Sequence, residues 1–67
     1  MKTYTITFED RQGVLMRILT AVTRRGIPLQ HIFSRPGEVQ LNLDLTPKQE
    51  AQLYRDWRST VDVTEAR

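Results

Sequence analysis

"FEDRQGVLMRIL", residues Phe8–Leu19, is where the hydrophobic period of the chain changes. Before it, Tyr4, Ile6 and Phe8 alternate with Thr3, Thr5 and Thr7, the period-two pattern of a half-buried strand. After it, Val14, Leu15, Ile18, Leu19 and Val22 fall within one arc at about 100° per residue, with Arg17, Thr20 and Arg24 opposite. That spacing predicts an amphipathic helix over Gly13–Arg25. Arg24 and Arg25 put positive charge in its last turn, and Gly26 offers a left-handed stop. Asp10 and Gly13 stand between strand and helix. Asp10 suits an N-cap, and Gly13 lets the chain turn. The same turn can act as a site, because N–H groups at a helix start hold a carboxylate while the Asp10 side chain suits an ammonium. An amino acid carries both groups. From chemistry alone capping outweighs ligand binding, since N-caps are commonplace.

Ile27, Leu29, Ile32 and Phe33 make Ile27–Arg35 a second strand with imperfect alternation. Pro28 near its start marks it as a sheet edge, because proline donates nothing to a ladder. "RPGE" (Arg35–Glu38) reads as a turn. Val39, Leu41, Leu43 and Leu45 then alternate with Glu38, Gln40, Asn42 and Asp44, a third strand over Glu38–Asp44. Thr46-Pro47-Lys48-Gln49 joins an N-cap, a first-turn proline and a capping-box glutamine. Ala51, Leu53, Tyr54 and Trp57 share one side of the helix that follows, and Thr60–Thr64 alternates again with Val61 and Val63 as its apolar pair. The order strand, helix, strand, strand, helix, strand predicts an α+β, ferredoxin-like βαββαβ fold, a four-stranded antiparallel sheet with two helices on one face. Thr3, Thr5, Thr7, Gln40 and Asn42 leave the other face polar but little charged, open to water or to another subunit. The edge strand is a surface for pairing.

The 67 residues are expected to form a single domain, 1–67. A chain of this size buries only about 60% of the surface it exposes when unfolded, and its core rarely supplies more than about 3–5 kcal/mol. With no Cys there is no disulfide or thiolate metal site, and one His cannot hold zinc alone. Oligomerisation or docking on a larger partner is the remaining source of stability. The absence of Cys fits a cytoplasmic location. No apolar run approaches the roughly 20 residues of a membrane helix, and the start lacks a signal-peptide apolar region.

Ten basic against eight acidic residues give a net charge of +2, weak grounds for nucleic-acid binding. An RNA-binding module of the same element order needs aromatics on its open face, where Glu38, Gln40, Asn42 and Asp44 stand instead. A copper-carrying domain of this class needs a CxxC pair, which is missing. The eight carboxylates fall mostly on outward positions, and a thin two-layer plate offers no water-excluded cleft for catalysis. No catalytic or metal-binding residue is expected.

"FEDRQGVLMRILTAVTRRGIPLQHI" (Phe8–Ile32) resembles the first strand, glycine turn, helix and second strand of ACT domains, βαββαβ regulatory modules that usually sense amino acids. Within them it is most similar to the small regulatory subunit of acetolactate synthase. In that family an acidic or amide residue, a glycine, apolar pairs around an arginine, and "RRG" with an apolar residue recur in this order. "STVDVTEA" (Ser59–Ala66) resembles the strand that follows the family's second helix.

The resemblance implies a non-catalytic subunit that docks on a large catalytic subunit. Thiamine diphosphate, FAD and magnesium belong to that partner, and no cofactor to this chain. Docking raises the partner's activity and, in many members, lets valine inhibit it from a site between two ACT domains of a dimer. Longer members carry a second domain. The implied effector positions are Asp10, Gly13, Val14, Pro28 and Leu29. Pro28 stands where the family usually has an asparagine, so side-chain amide and backbone N–H are both lost. A hydrogen bond to a charged group is worth about 1.5–3 kcal/mol, so valine affinity falls by about one to two decades. The expected function is therefore an activating small subunit with weak or absent valine sensing, or alternatively a stand-alone ACT-domain amino-acid sensor acting on another enzyme. Arg17, Arg24, Arg55, Trp57 and Arg58 are the candidate partner contacts, with a solvated face, and a core position for Trp57, as the plain alternatives.

Overall fold

In the computed structural model, which describes residues 2–67, β1 (Lys2–Phe8) runs through the interior of a four-stranded antiparallel sheet. It pairs with β3 (Glu38–Leu43) from Lys2↔Leu43 to Thr7↔Glu38 on one side, and with β4 (Val63–Ala66) on the other. Among the described residues the strand β2 (His31–Arg35) pairs only with β3, giving the order β2-β3-β1-β4. The helices α1 (Val14–Arg24) and α2 (Pro47–Arg58) complete the ferredoxin-like βαββαβ fold expected from the sequence.

Register explains the layering. Tyr4 stands opposite Leu41 and Ile6 opposite Val39, so the alternate apolar residues of β1 and β3 face one way. There they meet Val14, Ile18 and Val22 of α1 and Leu53 and Trp57 of α2 in one buried cluster. Each such side chain contributes about 1.5–3 kcal/mol when fully buried, and most of that is offset by chain entropy. The other face carries Thr3, Thr5, Gln40 and Asn42, with Thr3 donating to Asn42 Oδ1 at 2.9 Å. No helix among the described residues is long and apolar enough to cross a membrane.

The ends of the helices form as their residues dictate. At the close of α1, Gly26 N–H donates to Thr23 O (3.0 Å) and Ile27 N–H to Val22 O (3.3 Å), a Schellman motif with Gly26 in the left-handed region. Ile27 and Val22 are both buried, the apolar contact that accompanies this motif. At the start of α2, Gln49 N–H donates to Thr46 Oγ1 (3.2 Å) and Thr46 N–H to Gln49 Oε1 (3.0 Å), a complete capping box.

Two strands differ from their sequence reading. β2 starts at His31 rather than Ile27, because the Ile27 N–H closes α1 and Pro28 has none to give. The last strand is Val63–Ala66 rather than Thr60–Thr64. Ser59 and Thr60 hydroxyls donate to the final carbonyls of α2, and Asp62 turns the chain through φ 73°. Val61 is consequently 70% exposed, and Ala66 takes the core position instead.

One polar cluster fastens β1 to α2. Glu50 Oε2 accepts from Tyr4 Oη at 2.6 Å and from Lys2 Nζ at 2.8 Å. Burial, and then the bond to Glu50, push the Tyr4 phenol well above its ordinary pKa. The hydrogen bond from Lys2, followed by that from Tyr4, holds the Glu50 carboxyl below the usual glutamate value. A carboxyl lowered on folding stabilises the native state above its unfolded pKa, and that contribution is lost as pH falls through the lowered native value. Denaturant unfolding over an acidic pH series should therefore show a steeper loss of stability for the native chain than for Glu50→Gln.

Candidate effector and partner-contact sites

Between β1 and α1 the backbone is tied on both sides. Phe8 N–H donates to Gly37 O (2.9 Å) and Glu9 N–H to Asp62 O (2.8 Å), while Arg11 lies 3.8 Å from the Asp62 carboxylate. Val14 N–H meets Arg11 O at 3.2 Å. The N-cap of α1 is Gly13 at φ 87°, and no side chain caps the helix. Asp10 is not the cap that its residue type suggested. It lies outside the capping position, exposed, because the chain makes its final turn at Gly13. The first turn of α1 holds no acidic residue and no side-chain cap; Val14 N–H is taken by Arg11 O, and the N–H groups that follow it leave a positive helix end.

Pro28 and Leu29 lie beyond the opposite end of α1. An eleven-residue helix is about 16 Å long, so one copy of the chain keeps Pro28 far from Gly13. Asp10, Gly13 and Val14 share one end of α1. Pro28, which is exposed, and Leu29, half-buried against the core, share the other. A molecule of amino-acid size cannot touch both sets within one copy.

The partner-contact candidates separate into three kinds. Arg17 and Arg24 line a groove between α1 and the end of α2, and Arg55 is exposed on α2. Arg58 is engaged internally, its guanidinium 4.7 Å from the Tyr54 ring centroid and donating to Ala66 O at 3.3 Å. Trp57 is fully buried and donates through Nε1 to Ile18 O at 3.2 Å, so it is a core residue and offers no surface to a partner. Arg25 binds Asp56 through Nε (2.7 Å) and Nη2 (3.1 Å). Those bonds, with nearby guanidiniums adding to them, lower the Asp56 pKa. Nothing in the local sequence announces a pair 31 positions apart.

Sequence patterning also missed the exposed apolar groups of β2. Ile32 is 44% and Phe33 68% exposed, which the sequence pattern of a strand does not by itself distinguish from burial. Their register shows why. Ile32 faces the helix layer beside Leu41 at an edge the helices do not cover, and Phe33 lies beside Gln40 on the open face. The only advance signal was Pro28, which marked an edge.

The described residues have the ferredoxin-like fold of an ACT domain. The chain is similar to the crystal structure of the ACT domain from the GTP pyrophosphokinase of Chlorobium tepidum, with a TM-score of 0.79 at 17% sequence identity over 97% of this chain and 91% of that one. At that identity the likeness is one of fold. Sequence comparison finds no matching family model and no matching curated relative.

The turn makes a clean prediction. Gly13→Ala should cost about 1–2 kcal/mol in denaturant unfolding through the left-handed backbone alone, since the nearest atom to an added Cβ is Arg17 Nη2 at 4.0 Å. Asp10→Ala should stay within about 0.5 kcal/mol of the native chain, where a true cap would lose about 1.

Proposed function

We propose that this chain is a non-catalytic, activating small subunit of acetolactate synthase with little or no response to valine. One observation carries the reading. The stretch Phe8–Ile32, whose sequence resembles that subunit, forms the end of the first strand, the glycine turn, the helix and the start of the edge strand of an ACT-type fold. On this reading thiamine diphosphate, FAD and magnesium sit in the catalytic partner, and the work of this chain is contact.

The separation of Gly13 from Pro28 supports a dimeric effector site, since only a second copy can supply the missing half. The free edge of β2, with Ile32 and Phe33 uncovered, is the surface on which two copies pair. The neighbouring copy then brings a proline to the effector carboxylate, a residue with no donor to offer. Valine binding is weak for that reason. The turn keeps its helix-starting role.

An amino-acid sensor acting on another enzyme is the second reading. It is favoured by the structural neighbour, an ACT domain from a GTP pyrophosphokinase. Co-purification with an acetolactate synthase catalytic subunit, followed by acetolactate assays with and without this chain, separates the two. The expected result is a stable complex with raised activity, and an unchanged rate at saturating chain refutes the subunit reading. Calorimetric titration should show no valine binding at tens of micromolar, and Pro28→Asn should strengthen it by about tenfold or more. In sedimentation experiments Phe33→Lys should move the chain from dimer toward monomer. An unshifted dimer would place the contact elsewhere.

A further inference from the structure

The groove between α1 and the C-terminal end of α2 has a volume of about 480 Å³, and its walls include Arg17, Thr20, Ala21, Arg24, Asp56 and Val61. Its surroundings are one-sided in charge. Of ten Lys and Arg, six lie on the helices or cap them (Arg17, Arg24, Arg25, Lys48, Arg55 and Arg58), against two of eight acids, Glu50 and Asp56. The helix layer thus carries +4, while the sheet and loops carry −2.

The negative groups inside the groove are already engaged. Both Asp56 carboxylate oxygens accept from Arg25, and the carbonyls that end α2 accept from the Ser59 and Thr60 hydroxyls. Arg17 and Arg24, by contrast, have no ion-pair partner among the described residues. Seven positions are close to two helical turns, so their Cα atoms sit on one face about 10.5 Å apart. Thr20, short and exposed, lies between them, Ala21 is buried beneath, and the uncovered side chain of Val61 forms the far rim.

We propose that this groove docks an acidic amphipathic helix of a partner polypeptide, laid along α1. Two of its carboxylates, seven residues apart, meet Arg17 and Arg24, and an apolar side chain between them rests on Ala21 and Val61. Any helix repeats the spacing of α1, so two acids at that interval match the two arginines without distortion. The small Thr20 allows close approach. Nucleic acid fits less well, since the groove offers only the Arg17 and Arg24 guanidiniums among the described residues, fewer than a run of phosphates would engage. The proposal extends the subunit reading by naming the chemistry of the docking segment, and it rests on that reading only for the partner's identity.

Two arms test it separately. In the first, the 15N-labelled chain is titrated with a synthetic helical peptide carrying Glu at i and i+7 and Leu between, and with its Gln counterpart. The Glu peptide should shift the amides of Arg17, Thr20, Ala21, Arg24 and Val61. Binding should weaken about tenfold in Arg17→Glu/Arg24→Glu and when salt is raised to about 0.5 M, and Lys48→Glu, outside the groove, should bind as the native chain does. Shifts confined to another surface, equal binding of the Gln peptide, no binding at millimolar peptide, or tighter binding of a single-stranded RNA to the same residues would each overturn the proposal. Arg17→Gln/Arg24→Gln, checked by circular dichroism, separates lost charge from lost folding. In the second arm the acetolactate synthase catalytic subunit is the ligand. Failure of the native chain to bind it removes the subunit reading and leaves the groove to the peptide arm, whereas undiminished binding by Arg17→Glu/Arg24→Glu overturns the groove.

Discussion

Trp57 is the side chain on which both layers close. Its indole is wholly buried, packs 5.9 Å from the ring centroids of Tyr4 on β1 and Tyr54 on α2, and reaches across to the Ile18 carbonyl in the middle of α1. An indole N–H left without a partner in that position would cost about 1–3 kcal/mol. Satisfied as it is, it sets α1 against α2 and both against the central strands. The groove, the turn at Gly13 and the exposed edge all take their positions from that arrangement.

A two-layer plate of this size spends its large apolar residues on one interior. Tyr4, Ile6, Leu41, Leu43, Leu53 and Trp57 are all enclosed, and among the described residues no charged or polar residue is buried. What remains for recognition lies outside that interior. The first turn of α1 presents backbone N–H groups, the edge of β2 presents Ile32 and Phe33, and the helix layer presents arginines. On the proposed reading these are the surfaces that contact would use, which suits a core that supplies only about 3–5 kcal/mol by itself.

The positive helix layer and the less charged sheet face also divide the molecule into two surfaces of different use. In the docking proposed above, unpaired guanidiniums would draw an acidic partner to the first. The second, with Thr3, Thr5 and Gln40 beside Phe33, has little net charge to repel a copy of itself. The edge pairing and the helix docking proposed above would use surfaces that do not overlap, so neither excludes the other.

Local chemistry was enough to read the helices, both buried strands of the interior and the fold class. Periodicity decided β1, α1 and β3, and Thr46 with Gln49 decided the start of α2, since each signal acts within a few residues of itself. The site was legible in part. Gly13 and Pro28 were visible as special residues, but their separation by the length of α1 belongs to the folded chain. The role of Asp10 was misread because capping depends on where the backbone makes its last turn. Val61 was misplaced for a related reason: Thr60 and Asp62 were claimed by the end of α2 and by a left-handed turn, which moved the strand to Val63–Ala66. Burial of Trp57, pairing of Arg25 with Asp56 and exposure of Phe33 were decided only by tertiary structure. All three depend on which segments, distant in sequence, come to lie side by side, and a local pattern carries no record of that.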